Sequence, residues 1–316
     1  MSETRDYDDA SVRAYAAFDR GDLPLAVRRF RKLARAFPDH PPAHYMLGLA
    51  AKYCLNRWQL SLRHNLRSLE LHDDLDEASV WNAAIAATAL RRWGQVRALW
   101  ARAGIPIPAG IGPIEANFGL AVVRLHPATF GETVWAQRVD PVRARICNVP
   151  RPVTGFRFGD LVLHDGASTG RRFWNGERFS VFNVMKRMRR SAFRTYAAEV
   201  HADSEATRVL ERMTSERTPQ IEDWTRTVHM LCRKCSLGIA HEKHAPLVAP
   251  GDTTGPRTHL VAIVARKREH ARDVVEVWQA QAPHARGLQR LTRPPEGPLR
   301  SEGHAWWLDV EAEDGD

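Results

Sequence analysis

Apolar residues along the first hundred positions stand at helical spacing. Ala26 and Phe30, then Leu47, Gly48 and Ala51, then Trp58, Leu62 and Leu69, then Trp81, Ala84 and Ala87, and last Trp93, Val96 and Trp100 each mark one helix face. Side chains three and four residues apart share a face, so this pattern predicts amphipathic helices. Gly21-Asp22 reads as a turn between two of them, and Pro38 closes another. The stretch GIPIPAGIGP, residues 104–113, stops the pattern; its density of proline and glycine predicts a linker.

Beyond the linker the period shortens towards two. LAVVRLH, ETVWAQRVD, VRARICNVP and DLVLHD read as short strands separated by Pro, Gly and Asp. RRFWNGERFSVFNVM reads as a hairpin folded at Asn175-Gly176, a pair that accepts the positive φ of a two-residue turn. Five or six short strands predict a small antiparallel barrel-like region or curled sheet over residues 114–190. From Thr195 the order changes. TYAAEVHA is a predicted strand, Asp203 caps a helix through SEATRVLERM, and WTRTVHMLC and THLVAIVA are two more strands. REHARDVVEVWQAQA is a helix with Ala271, Val274, Val275, Trp278 and Ala282 on one face, and GLQRL is a final short strand. The order β-α-β-β-α-β is that of a ferredoxin-like split unit, predicted here within residues 191–316.

The helical third also repeats. Leu23, Trp58 and Trp93 are spaced 35 and 35 residues apart, and the small residues Ala14, Gly48 and Ala84 recur at 34 and 36. With DRGDLPLAVRRFRKLARAFPDHPPAHYMLGLAAKY as its clearest unit, the segment from about residue 10 to 104 resembles the tetratricopeptide repeat (TPR) family, whose unit is 34 residues. Small residues let paired helices approach, large ones fill the groove between pairs, and about three pairs are needed to bury a core. The second unit departs from the family: it has Ser61, Asn65 and Ser68 where the family prefers Ala, a large residue and Ala, and it lacks a closing Pro. The resemblance implies a concave protein- or peptide-binding surface and no catalysis. The alternative is that the helices brace the rest of the chain. The expected fold class is α+β and multidomain, with all-α TPR-like repeats over 1–104 ahead of the barrel-like and ferredoxin-like regions.

Composition narrows the function classes. The chain has 316 residues, 44% hydrophobic and 26% charged, enough for two or three cores. Its net charge is +9, but the excess is spread: residues 1–110 hold 16 Lys/Arg against 12 Asp/Glu, and residues 111–316 hold 30 against 25. Arg outnumbers Lys 40 to 6. An acidic partner suits this balance, although neither half is a basic tail. The opening MSETRDYDDA has no basic and apolar leader pattern, and no run of about 18 apolar residues occurs, so a cytoplasmic protein with no membrane span is expected. The four cysteines, Cys54, Cys147, Cys232 and Cys235, fit a reducing compartment better than a disulfide scaffold. The acidic end RSEGHAWWLDVEAEDGD closes the chain.

Three motifs bear on chemistry. GASTG, residues 166–170, matches the G-x-S-x-G elbow, but an elbow must lead into a helix and RRFWNGERF follows, so Ser168 reads as part of a polar hairpin turn. KRMRRSAFRTY sets Lys186, Arg187, Arg189, Arg190 and Arg194 beside Phe193 and Tyr196, the residue types that hold phosphates and stack bases. The competing reading is a solvated charged face. MLCRKCSLGIAHEKH places Cys232, Cys235, His241 and His244 in a C-x2-C-x5-H-x2-H array. A CxxC knuckle chelates zinc well, and four such ligands would saturate a structural site. Basic Arg233 and Lys234 also suit a redox pair, and a plain structural loop fits equally, since the spacer is shorter than the usual ~12 residues. No phosphate-binding glycine loop and no HExxH motif occur.

These readings lead to a non-catalytic protein-binding adaptor. A specific version is a bacterial immunity protein that neutralises a toxin or effector by direct binding; a subunit of a complex is another. The alternatives are a nucleic-acid-associated factor using the basic run, and a zinc-binding protein with a structural Cys2His2 clip.

Overall fold

The computed structural model describes residues 2–54, 57–127, 131–225 and 255–299. The fold is α+β: six helices, then a five-stranded and a four-stranded sheet. The chain forms two compact units. One holds the helices through Asn117 together with Val139–Val142; the other holds Phe118–Arg138 and Arg143–Leu299, and so contains both sheets.

In the helical unit, α1 (Ser2–Asp19), α2 (Leu23–Ala36), α3 (Pro41–Tyr53), α4 (Trp58–Leu71), α5 (Glu77–Ala89) and α6 (Trp93–Arg102) each pack on the next. Leu23, Trp58 and Trp93 open helices, as their spacing predicts. Local chemistry sets the boundaries. The Asp22 carboxylate accepts from Leu25 N at 3.1 Å and the Asp76 carboxylate from Ala78 N at 3.2 Å, which satisfies amides with no helical partner. Gly21, at φ 74°, makes the turn ahead of α2. Ala14, Ala26, Phe30, Leu47, Ala84 and Trp100 are fully buried. The linker is pinned: the Arg97 guanidinium donates to the carbonyls of Pro108 and Gly112.

One close approach defines the α3–α4 contact. A Cβ at Gly48 would lie 2.5–2.9 Å from the side-chain atoms of Asn65. Asn65 is fully buried, and its amide donates to Ser61 O at 2.8 Å, so it has little room to yield. The polar residue in the second helical pair is therefore matched to the glycine facing it.

The first sheet contains β1 (Leu120–Leu125), β2 (Glu132–Arg138), β3 (Arg143–Ile146), β4 (Leu161–Trp174) and β5 (Glu177–Arg189). Each pairs antiparallel with the next, and β1 then pairs with β5 over Val122–Arg124 and Val181–Asn183, so the ladder closes on itself. The expectation of an antiparallel region fails at that closing pair, which is parallel. In a meander with an odd number of strands, the first and last run the same way. Val123, Val134, Ala136, Ile146, Val162 and Val184 fill the interior. At the β4–β5 tip Asn175 and Gly176 have φ 48° and 79°, the two left-handed residues that the hairpin turn requires.

The second sheet has β6 (Arg194–Ala202), β7 (Ile221–Asp223), β8 (Arg257–Ala265) and β9 (Gly287–Thr292) in the order β7-β8-β6-β9, antiparallel throughout. Helix α7 (Ser204–Arg212) follows β6 and α8 (Arg268–Ala280) follows β8. Asp203 caps α7 by accepting from Ala206 N at 2.7 Å. Ala271, Val275 and Trp278 of α8 are buried with Leu210 of α7 against the sheet, and Trp278 Nε1 donates to Ala206 O at 2.8 Å. The second strand of this sheet is short and begins ahead of the predicted WTRTVHMLC; residues 226–254 lie outside the described residues. Among the described residues no helix is long and apolar enough to cross a membrane.

The Gly48–Asn65 approach yields a prediction. Gly48→Ala should destabilise the helical unit by about 1–2 kcal/mol, because overpacking outweighs the helix-propensity gain of ~1 kcal/mol. Adding Asn65→Ala should recover part of that loss. Urea midpoints of the two single variants and the double variant measure the coupling; additive effects would mean the two residues do not clash.

Candidate functional site

The most chemically distinctive surface of the helical unit lies across α2, α3 and α4. Arg31 and Arg35 stand four residues apart on α2, and Arg63 and Arg67 four apart on α4, so each pair shares one helix face. Together with Ala34, His44, His64 and Glu70 they line a depression of about 660 Å³. Arg67 is neutralised, bonded to Asp39 at 2.9 Å and to Glu70 at 3.2 Å. Arg31, Arg35 and Arg63 have no such carboxylate among the described residues, so the depression keeps a positive excess.

Two histidines form its floor. Their rings stack at 5.1 Å between centroids, with Nδ1 facing Nδ1 at 2.9 Å. The tautomers follow from the acceptors. His44 Nε2 lies 2.9 Å from the Pro38 carbonyl, which only accepts, so Nε2 carries the proton and Nδ1 is a lone pair. His64 Nδ1 must then donate to it, leaving His64 Nε2 to accept from the Arg63 guanidinium at 3.4 Å. A proton added to either ring would set N–H against N–H. Burial pushes the pKa of His44 below its ordinary value. It pushes His64 down to about 4, with the charges of His44, Arg63 and Arg31 adding to the effect. At neutral pH both rings are therefore neutral, and an anion in the depression meets guanidinium groups.

The strand unit contains buried carboxyls of unusual acidity. Burial raises Glu132 to about 8 and Glu222 to about 7. Both face backbone amides of one segment: Glu132 accepts from Arg151 N at 3.1 and 3.2 Å, and Glu222 from Val149 N at 2.8 Å. Asp223 and His259, both fully buried, bond at 2.8 Å. Glu132 and Glu222 thus each hold a backbone amide in place.

The structure divides the predicted basic run. Arg187 turns onto the strand unit, donating to Gly155 O at 2.9 Å and pairing with buried Asp160 at 3.5 Å. Arg190 pairs with Glu296, which Arg157 also holds at 2.6 Å. Arg189 and Arg194 are exposed and Lys186 is half-buried. The five residues therefore do not form one cationic face. Ser168 lies within β4, at a register shift against Phe182, and its hydroxyl donates to Gly170 O at 2.9 Å. It is neither a hairpin turn nor a strand-to-helix elbow. Cys232, Cys235, His241 and His244 lie outside the described residues. Among the described residues no three His, Cys, Asp or Glu side chains converge as a metal site. The depression on α2–α4 was missed by sequence reasoning; its one visible signal is the i,i+4 spacing of arginines in RRFRKLAR and RHNLR. No protein-family model matches the chain, and no curated protein matches it at a significant level.

The shifted groups predict opposite pH dependences in the two units. His64 binds a proton less readily folded than unfolded, so its contribution is complete above its ordinary value of 6.5 and is lost as pH falls towards 4. Glu132 is the reverse: its folded value is raised, so stability is complete below its ordinary 4.5 and is lost as pH rises through 8. Glu132→Gln keeps the neutral form at every pH. It should be more stable than wild type at pH 9, by up to about 4 kcal/mol, and the advantage should vanish near pH 4. His64→Asn should flatten the acid limb alone. Wild-type-minus-variant urea midpoints across pH 4–9 read both effects.

Proposed function

We propose that this chain is a non-catalytic adaptor that binds another protein, and that the depression on α2–α4 receives an acidic segment of that partner. The observation that carries this reading is the convergence of Arg31, Arg35 and Arg63 around two histidines held neutral. Guanidinium groups bond carboxylates in a fork geometry and stay charged. The half-buried His64 ring gives an extended peptide an uncharged contact between the arginines. A carboxylate-rich segment uses both features, whereas an apolar segment would leave the guanidinium groups facing it without acceptors.

The architecture supports the same reading. Helix starts at Leu23, Trp58 and Trp93, with the tight Gly48 contact, favour a TPR-like array, a scaffold for peptide recognition. The five-stranded sheet, whose first strand also pairs with its last, favours the curled sheet expected there. The strand order β7-β8-β6-β9, with helices after β6 and β8, favours a ferredoxin-like split unit. Neutralisation of a toxin or effector by such an adaptor needs only an acidic docking segment on the target, and so does recruitment of a complex subunit.

The test uses the full chain and a fluorescein-labelled peptide of about twelve residues rich in Asp and Glu, with anisotropy as the readout. Binding at ~50 mM salt should weaken as salt rises, since exposed charges are screened. Arg31→Glu with Arg35→Glu should weaken it on the order of tenfold or more, with far-UV circular dichroism unchanged. A wild-type chain that ignores the peptide at low salt, or a charge-reversed variant that binds equally well, would remove this reading.

A further inference from the structure

The strand unit carries a second surface, at the tip of its longest hairpin. Residues 171–174 of β4 pair with residues 177–180 of β5, while within this hairpin β3 reaches only Leu161–Leu163 and β1 only Val181–Asn183. The tip is therefore a two-stranded ribbon beyond the closed ladder, and both its faces can meet solvent. Such ribbons are marginal alone and need packing to hold them. Trp135 of β2 supplies it: its ring lies 5.0 Å from Phe179, edge to face, and 5.8 Å from Trp174, with the Arg172 guanidinium 5.4 Å from its centroid.

Side chains alternate across a strand, so the cross-strand pairs sort the ribbon into two faces. Arg172 opposite Phe179 and Trp174 opposite Glu177 share the face that meets Trp135. Phe173 opposite Arg178 and Arg171 opposite Ser180 share the other, with the Arg178 guanidinium 5.5 Å from the Phe173 ring. Phe173 and Trp174 remain 67% and 55% exposed, among the most exposed large apolar side chains described. Each face thus carries an exposed ring, Trp174 on one and Phe173 on the other, together with arginines; Arg172 lies over Trp135 and Arg178 over Phe173. Three arginines stand against one acidic residue, Glu177.

We propose that this ribbon binds single-stranded nucleic acid passing over its tip, with a base stacking on Trp174 and phosphate meeting Arg172 on one face, and a base stacking on Phe173 and phosphates meeting Arg171 and Arg178 on the other. Every base has a π-face, and aromatic stacking contributes about 1–3 kcal/mol per base without sequence preference. The arginines give the matching electrostatic component. Other occupants fit less of the surface. An acidic peptide would use the guanidinium groups and leave the rings unmatched. A second copy of the chain would bring like charges together. Duplex bases are stacked on one another and closed to the rings. The site is separate in sequence from the run at Lys186–Arg194, whose Arg187 and Arg190 are engaged in ion pairs.

The experiment is fluorescence anisotropy of the full chain with labelled twenty-nucleotide oligo(dT) and oligo(U), a twenty-base-pair duplex, and an abasic oligomer of equal length. Both single strands should bind at ~50 mM salt with a negative log–log salt slope, and the duplex and abasic oligomer should bind at least about fivefold more weakly. Trp174→Ala and Phe173→Ala, both at exposed positions, should each weaken single-strand binding by about fivefold or more. Arg171→Glu with Arg178→Glu should weaken it and reduce the salt slope, while Arg31→Glu with Arg35→Glu should leave it unchanged. Absence of single-strand binding, equal affinity for the abasic oligomer, full affinity in both aromatic variants, or a loss that follows the Arg31/Arg35 variant would each overturn the proposal.

Discussion

Backbone amides in an irregular but buried segment must find acceptors, and in the strand unit that requirement organises much of what surrounds it. The chain between β3 and β4 has no ladder partner over most of its length, yet Val149 packs with Ala262 and Val264 of β8, and Phe156 enters the interior of the first sheet. Carboxyls replace the missing ladder. Glu132 from β2 and Glu222 from β7 take the amides of Arg151 and Val149, and Asp160 takes those of Arg157 and Ser191. Two sheets are joined by acceptors that reach one short stretch of chain. Desolvation at such positions favours the neutral acid, which is why Glu132 and Glu222 titrate so high.

The same logic extends to the cations nearby. Arg187 neutralises Asp160, and Arg157 with Arg190 converges on Glu296. A charged group in a low-dielectric setting needs a partner, so arginines that look available in the primary structure are committed to holding the segment. Among the described residues, arginines without that duty line the α2–α4 depression of the helical unit and the tip of the β4–β5 ribbon in the strand unit.

These two places use arginine differently. In the depression the guanidinium groups surround a histidine pair whose single directed hydrogen-bond chain runs from Arg63 to the Pro38 carbonyl. Burial keeps the rings neutral and leaves the positive charge to the arginines. On the ribbon the guanidinium groups of Arg172 and Arg178 instead lie over aromatic rings, so charge and flat apolar surface alternate within a few ångströms. Carboxylates suit the first arrangement and stacked bases the second.

Much of the architecture was legible in the order of residues. Helical periodicity located the starts at Leu23, Trp58 and Trp93, the Asn175-Gly176 pair located the tight turn, and Asp203 located the cap of α7, because each depends on local geometry that neighbouring residues impose. The candidate sites were hardly legible. Ser168 lies in a strand irregularity set by cross-strand register, and Arg187 faces Asp160, 27 positions earlier in the chain. The pairing of His44 with His64 and of Trp135 with Trp174 spans 20 and 39 residues and exists only once helices or strands are packed. Where elements begin, turn and end follows from backbone preference and side-chain period, which act between neighbours along the chain. Which charges are consumed by burial and which remain exposed follows from packing, since desolvation acts on neighbours in space.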